Sequence, residues 1–466
     1  MENKLSGVDS FVVFHNSQGL MGRGTLVHIT RRSVVFEVYN PYSLVQISEV
    51  LTGFHVLRGE RTIYNGKAIV SSLVTTGLMV IVSVTLSDPW ADQTGLPPGH
   101  VLQSGMKQFI RDWETSYSIR PSYQLSVSSI SNFLAELSRW VEEAETDAFD
   151  SDDTKEEVSL HQAFFEDIIE PVNTKLNALY MVFEEEARQV PPEEFAIHKA
   201  FVQRTIHPFI LCAPFVHRTY TKPLGYAGDY EMVNMMLKES PDVGTSIYAK
   251  VIHEFYIRAK TPESHRNRII MLEKRLKIEA KKFVAKGRPF KVLNVGCGPA
   301  VEVQRFFKTD PLSNNCIFHL MDFNEETLEY THDKIQASII GSKNNPLVKC
   351  VHKSVDDLLK EAFEDQGPEP VLYDMVYCAG LFDYFTNQIC KHLLQLFYKW
   401  LLPEGLLTVT NVHPKNPVRS TMEYMLEWHL IYRDEIDMEE IAPPGIKKTI
   451  TSDVTGLNVF LDIRKE

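Results

Sequence analysis

The stretch Lys291-Val292-Leu293-Asn294-Val295-Gly296-Cys297-Gly298-Pro299-Ala300 constrains this chain more than any other. The apolar run 292–295 reads as a buried strand. It stops at Gly296 and Gly298, where a bulky side chain would bar a ligand from the backbone. Residues 301–307 read as a helix opening directly from the turn. A strand, a glycine turn and a helix N-terminus make a socket for the polar part of a nucleotide-like ligand.

The partners of such a socket follow in order. Residues 317–321 read as a second strand with Asp322 at its C-terminal end. An acid there, roughly 20 residues after the glycines, accepts from ribose hydroxyls. Met321 or Phe323 is placed to flank the base. A strand running into an acidic turn at 351–358 offers Asp356 or Asp357 to an adenine amino group, and the sequence leaves that choice open. Residues 373–381, with Cys378 and Gly380, read as a fourth strand reaching the same edge. A helix at 387–400, a turn at 402–405 and a strand at 406–410 come next. Two strands at 447–450 and 458–463 enclose a turn at 453–456.

This order resembles the class I S-adenosylmethionine-dependent methyltransferases over residues 286–466. The resemblance implies an α/β fold with a Rossmann-like sheet of five parallel strands and a C-terminal antiparallel hairpin. It also implies S-adenosyl-L-methionine as cofactor, contacted by Asn294, Gly296, Gly298, Asp322, Phe323, Asp356 or Asp357, Cys378 and Gly380. A dinucleotide fingerprint needs Gly or Ala at its sixth place, which here is Val301. Asn294 departs from the family, which has Asp or Glu there. The amide can anchor the turn or accept from the cofactor's ammonium, but without charge.

The remaining composition narrows the class. A chain of 466 residues holds two or three domains. Of the formal net charge of −13, the segment 142–157 supplies a large part, with nine acids and one lysine. It reads as a solvated acidic loop. No basic stripe points to nucleic acid. Six cysteines without a CxxC pair or metal-ligand spacing point to a reduced, cytoplasmic chain with no metal. The N-terminus lacks signal-peptide character, and no apolar run reaches transmembrane length.

Three segments are expected: 1–96, 97–285 and 286–466. The first reads as a small β-barrel with strands at 11–15, 22–28, 33–39, 42–47, 54–57, 62–73 and 78–86. It resembles the PilZ-type barrel but lacks the arginine arm and the Asp-x-Ser-x-x-Gly strand of the cyclic di-GMP site. The resemblance therefore implies an interaction or dimerisation role, with a second copy or another protein as partner. Apolar residues at helical spacing mark 99–117, 127–145, 160–186, 192–210, 229–237, 246–259 and 261–285. They make a helical domain expected to lid the cofactor and shape a substrate pocket.

A second informative stretch, 220–232, carries Lys222-Pro223-Leu224-Gly225-Tyr226-Ala227-Gly228-Asp229-Tyr230. Proline and glycines forbid a continuous helix, and Asp229 suits the N-cap of the next one. On residue types alone, an interhelix turn and a ligand-closing loop are both open. The stretch resembles a signature of a bacterial methyltransferase group linked to 3-hydroxy fatty acid methyl esters, which serve as extracellular (quorum-sensing) signals. Residues 379–385, 411–417 and 428–433 match the same group. The resemblance implies methylation of a small-molecule acceptor, the carboxylate of a fatty acid. Tyr226, Gly228 and Asp229 would then lid the methionine part of the cofactor. Tyr384, Asn411 and His413 would surround the methyl, with Tyr226, Tyr384 and His413 as the catalytic set. His413 reads equally as a base, a donor to the acceptor, or a cap before Pro414.

A helix from 418 would put Arg419, Glu423, Leu426, Leu430 and Arg433 on one face. Arg419 or Arg433, with Tyr432 and Asn411, would hold the acceptor's carboxylate. A salt-bridged surface is the other reading of both arginines. Rival functions are an O-, N- or C-methyltransferase of another small apolar metabolite, and a non-catalytic cofactor-binding or interaction protein.

Overall fold

The structure, a computed structural model, describes residues 10–30, 32–39, 45–58, 61–76, 79–88, 106, 110, 119–148, 154–238, 246–342, 344–363 and 371–466. The chain clusters into two units. The first comprises Met1–Ala227, Pro241–Ala259 and Pro417–His429; the second comprises Gly228–Ser240, Lys260–Asn416 and Leu430–Glu466.

In the first unit, strands β1 (Ser10–His15), β2 (Met21–Ile29), β3 (Ser33–Tyr39), β4 (Val50–Arg58), β5 (Arg61–Thr76) and β6 (Met79–Leu86) alternate inward apolar and outward residues. They close as an antiparallel barrel in the order β1-β2-β3-β6-β5-β4. Closure leaves no strand edge open. Phe14, Phe36 and Phe54 fill it, with ring centroids 5.5–6.3 Å apart. The strand expected at 42–47 is not formed over 45–47: Ser48 takes φ 62°, and the chain turns there. Residues 42–44 lie outside the described ones.

Helices follow as α1 (Pro121–Ala148), α2 (Thr154–Arg188), α3 (Phe195–Ile210), α4 (Pro214–Thr221), α5 (Tyr230–Leu237), α6 (Ile247–Ile257) and α7 (Lys260–Val284). Of these, α5 and α7 belong to the second unit. The helix expected at 99–117 lies outside the described residues, apart from two helical positions, Met106 and Ile110. The acidic stretch is not simply a loop. Its ends complete α1 and begin α2; at the end of α1 Val141 is buried while Glu142 and Glu143 are exposed. No helix of the described residues is long and apolar enough to cross a membrane.

Pro417–His429 is packed within the first unit. The Glu184 carboxylate of α2 accepts from the Ser420 and Thr421 N–H groups and from Thr421 Oγ1, at 2.7–2.9 Å. The single helix expected from 418 to 433 is absent. A π-helical turn at Thr421–Met425 gives way to non-helical chain, because Glu427 takes φ 50°. Arg419 and Arg433 therefore share no helix face and fall in different units.

The second unit is built on a mixed seven-stranded sheet in the order β12-β13-β11-β10-β7-β8-β9. Its elements are β7 (Phe290–Val295), α8 (Val301–Thr309), β8 (Cys316–Asp322), α9 (Glu325–Ser342), β9 (Leu347–His352), α10 (Val355–Phe363), β10 (Tyr373–Ala379), α11 (Asn387–Lys399), β11 (Leu401–Val412), α12 (Glu435–Ile441), β12 (Lys448–Ser452) and β13 (Asn458–Arg464). Strands β7 to β11 pair in parallel, and β13 pairs antiparallel with both β11 and β12. Central β7 and β10 are buried on both faces, which is why they read as apolar runs. Leu272, Phe306 and Ile335 from α7, α8 and α9 cover one face. Leu358, Leu393 and Met438 from α10, α11 and α12 cover the other.

Candidate cofactor site

The carboxyl ends of β7, β8, β9, β10 and β11 meet at one edge of the sheet, where open α/β sheets bind ligands. The turn after β7 is tight. Gly296 and Gly298 take φ 65° and 50°, conformations that side chains rarely tolerate. A Cβ added at Gly298 would meet nothing within 4 Å, so this side of the turn is open.

Asp322 ends β8 as expected, and its carboxylate braces the neighbouring turn. Its Oδ2 accepts from Gly298 N at 3.1 Å, and its Oδ1 accepts from Asn324 N at 3.1 Å. The carboxylate thus holds the glycine turn while each oxygen keeps a further lone pair. Burial raises its pKa, and these N–H groups oppose the rise.

The β9 expectation shifts toward the N-terminus: the strand ends at His352, and both acids lie in the first turn of α10. Asp357 is committed to a cap. It accepts from Ser354 N and Oγ at 3.0 and 2.7 Å, while Ser354 Oγ accepts from Asp357 N. Asp356 is different, since burial pushes its carboxyl up to about 6. The folded chain therefore holds this proton more tightly than the unfolded chain does. The stability this contributes is present below the unfolded value of 3.8 and lost as pH rises through about 6. Asp356→Asn is expected to raise stability by about 1 kcal/mol near pH 7.5 and to change nothing near pH 3. Melting temperatures at the two pH values check this.

Two residues that the sequence reading missed complete the edge. Arg268 of α7 is buried, with Nε and Nη1 lacking any hydrogen-bond partner. Gly380 (φ 94°) faces it: a Cβ there would stand 3.0 Å from Arg268 Nη1. Burial lowers the guanidinium's pKa, against the fields of Asp383 and Glu302. Glu302 of α8 is also buried, and its Oε1 accepts from Asn294 Nδ2 at 3.2 Å and Tyr377 Oη at 2.7 Å. A carboxyl group therefore stands against Asn294 from eight positions later in the chain, with burial raising its pKa. A sequence signal existed for Arg268. Thr261, Ser264, His265 and Arg268 occupy the face of α7 that should be apolar, and all four are buried.

The other expected residues sort by their hydrogen bonds. Cys378 is buried at the end of β10. Phe323 is half-buried, and its carbonyl lies 2.7 Å from His352 Nε2. Asp229 is the N-cap of α5, accepting from Met232 N at 2.8 Å. Tyr384 Oη lies 2.7 Å from where a Cβ on Gly228 would stand. Tyr226 belongs to the first unit and is half-buried.

Arg433 and Asn411 are not free to clamp a substrate. Arg433 donates to Asn387 Oδ1, Phe382 O, Asn411 Oδ1 and Phe385 O at 2.6–2.9 Å. Asn411 Nδ2 donates to Ile431 O at 2.8 Å. Arg419 is paired with Glu423 at 2.7 Å, the salt-bridge reading. Tyr432 Oη accepts from Asn416 Nδ2 at 3.4 Å. His413 Nδ1 accepts from Lys415 N at 2.9 Å, and its Nε2 faces Glu435 Oε2 at 3.4 Å. Both ring nitrogens are engaged, which corrects the reading of His413 as a base. Asp383 Oδ1 accepts from Val412 N at 2.6 Å, and burial pushes its carboxyl up to about 6. Among the described residues, no group of His, Cys, Asp and Glu is arranged to hold a metal.

In sequence, neither a known family nor a curated protein matches the chain. Solved structures match in part. One is described as a possible exported protein from Bordetella parapertussis (16% identity, TM-score 0.42, 54% of this chain and 86% of that one). Another is the S-adenosylmethionine-dependent methyltransferase SibL in its apo form (16%, 0.32, 58% and 77%). A third is magnesium protoporphyrin IX methyltransferase from Synechocystis with bound SAH (14%, 0.30, 44% and 87%). Likeness of this degree carries no functional weight, so the chemistry has to come from the residues themselves.

Proposed function

We propose that the chain is an S-adenosylmethionine-dependent methyltransferase acting on the carboxylate of a fatty acid, with 3-hydroxy fatty acids as first candidates. The observation that carries the cofactor is Arg268. A buried guanidinium with two unpartnered nitrogens beside Gly380, at the carboxyl end of β10, calls for an anionic group. A free amino-acid carboxylate supplies one, and its ammonium suits the nearby Glu302. Asp322 suits a ribose, and Asp356 an adenine amino group. The cofactor would supply an electrophilic methyl. The chain's own part is to align the acceptor and exclude water.

The engagement of His413 favours an acceptor that needs no base, and a carboxylate is already ionised at neutral pH. Asp383 favours a second reading, a hydroxyl or amine acceptor, because a carboxyl near 6 can act as a base. The turn at Gly228 and Asp229 as lid, residues 286–466 as catalytic domain and the barrel as an interaction module belong to the same proposal.

Titration calorimetry with S-adenosylmethionine tests the cofactor; absence of binding removes the proposal. Asp322→Ala is expected to weaken binding by about 1–3 kcal/mol, the cost of a lost bond to a charged group. Unchanged affinity would mean the ribose lies elsewhere. Labelled cofactor with a panel of fatty acids tests the acceptor: a base-labile product supports an ester, and a base-stable one excludes it.

A further inference from the structure

We propose that the outward face of α7 is a docking surface for an anionic lipid bilayer. The helix carries eight basic and three acidic residues in a chain whose net charge is −13. Ile270 and Ile278 stand on it 56% and 55% exposed. They lie eight residues apart, about 12 Å along one face. Exposed Lys274 lies midway between them, and Lys277 and Lys281 continue the same stripe.

A groove runs along each side of this stripe. One, of about 540 Å³, is lined by Met271, Lys274, Ile278, Leu406 and Lys447 among others. The other, of about 480 Å³, is lined by Ile270, Lys277, Ile278, Lys281 and Leu312 among others. Apolar side chains and lysines thus alternate on both flanks.

Three of the four acids of this face are already neutralised. Glu273 pairs with Lys277 at 2.6 Å, Glu279 with Arg464 at 2.7 Å, and Asp462 with Arg275 at 2.7 Å. Asp310 is turned to its own chain and accepts from Leu312 N. The ammoniums of Lys274, Lys281 and Lys447 meet no carboxylate within ion-pair distance among the described residues. The face is therefore positive, with two exposed branched side chains set among long, flexible cations.

Charge complementarity selects the occupant. A second copy that presents the same stripe across a two-fold axis would set lysine against lysine. An anionic bilayer accepts isolated isoleucines at the acyl boundary while the lysines reach its headgroups, and it demands no matching shape. This surface is independent of the methyl-transfer reading, and its test uses no turnover.

The test is cosedimentation of the full chain with phosphatidylcholine vesicles, with and without one-third phosphatidylglycerol. The expected result is at least tenfold stronger partition onto the anionic vesicles, abolished by high salt. The double variant Lys274→Glu/Lys281→Glu is expected to lose at least tenfold, and Ile270→Ser/Ile278→Ser several-fold. Both should melt as the parent does, because these side chains are exposed. Equal partition onto neutral vesicles, or full binding by the charge-reversed variant, would overturn the proposal. A dimer in light scattering that Ile270→Ser/Ile278→Ser makes monomeric would overturn it too, assigning the face to a second copy.

Discussion

Replacing Arg268 by Met is expected to weaken S-adenosylmethionine binding more than a hundredfold while leaving the ligand-free protein at least as stable as its parent. The two effects have one cause. Arg268 Nε and Nη1 are buried without acceptors, so the cost of desolvation is offset only in part, by the fields of Asp383 and Glu302. A flexible apolar side chain of similar length removes that cost, as replacement of buried ions by apolar groups often does. Binding loses the opposite way. A carboxylate desolvated beside the missing guanidinium costs about 3 kcal/mol or more, the range for a truncated buried charge pair. Glu302 and Asp383 sharpen the test. Burial raises both carboxyls, and the nearby arginine opposes the rise. Without it they are protonated to higher pH, so the stability gain should be larger near pH 6 than near pH 8. Arg268→Lys should fall between, keeping charge but not the planar fork. Calorimetric affinity and melting temperature, read together, decide it. Unchanged affinity in Arg268→Met would remove the arginine from the site; a collapsed melting curve would make it structural.

What the sequence made legible was what neighbours along the chain determine. The strands around Asn294 and Tyr377 were readable because central strands bury both faces and so appear as unbroken apolar runs. The turn at Gly296 and Gly298 was readable because its backbone demands glycine. Asp322 was readable from its distance to that turn. Arg268 showed only as a polar residue on a face of α7 that should be apolar. Glu302 was not readable, because Asn294 and Tyr377 reach it from two strands that only the sheet brings together. Arg433 misled for the same reason. An arginine near a candidate site suggests a ligand clamp, yet its acceptors are carbonyls at Phe382 and Phe385, far off in sequence. Asp356 and Asp357 looked alike until Ser354 proved to be a helix cap. The segment 418–433 failed differently. Its apolar residues keep helical spacing, but Glu427 takes a left-handed conformation, and the buried Lys199 that pairs with it comes from α3, far off in sequence.

Those charges give the second large effect. Glu427 is expected to be the most costly single position in the first unit, with Glu427→Gln losing about 3–5 kcal/mol. Its Oε1 accepts from Lys199 Nζ at 2.9 Å and Gln203 Nε2 at 3.0 Å. Lys222 Nζ donates to the adjoining carbonyl, Leu426 O, at 3.2 Å. All three ionisable groups are buried, so one carboxylate compensates two cations. Although burial opposes it, the two lysines hold the Glu427 carboxyl down at about 2, and burial lowers Lys222 to about 8. Glu427 thus contributes stability that is present above the unfolded value of 4.5 and lost as pH falls through about 2. Glutamine keeps the shape and the bond from Gln203 but leaves two buried ammoniums without a counter-charge. The folded pKa of Lys222 then falls further below the unfolded 10.5, so the loss should shrink as pH rises from 7 toward 10. Glu427→Gly separates charge from backbone. It relieves the φ of 50° but loses the carboxylate, so it should recover no more than about 1 kcal/mol relative to glutamine. Adding Lys199→Met to Glu427→Gln removes one stranded cation and should restore part of the loss. Urea midpoints of the four proteins at pH 7 and 10 measure every term. A Glu427→Gln midpoint equal to the parent's at pH 7 would show that the two lysines do not depend on this carboxylate as their counter-charge.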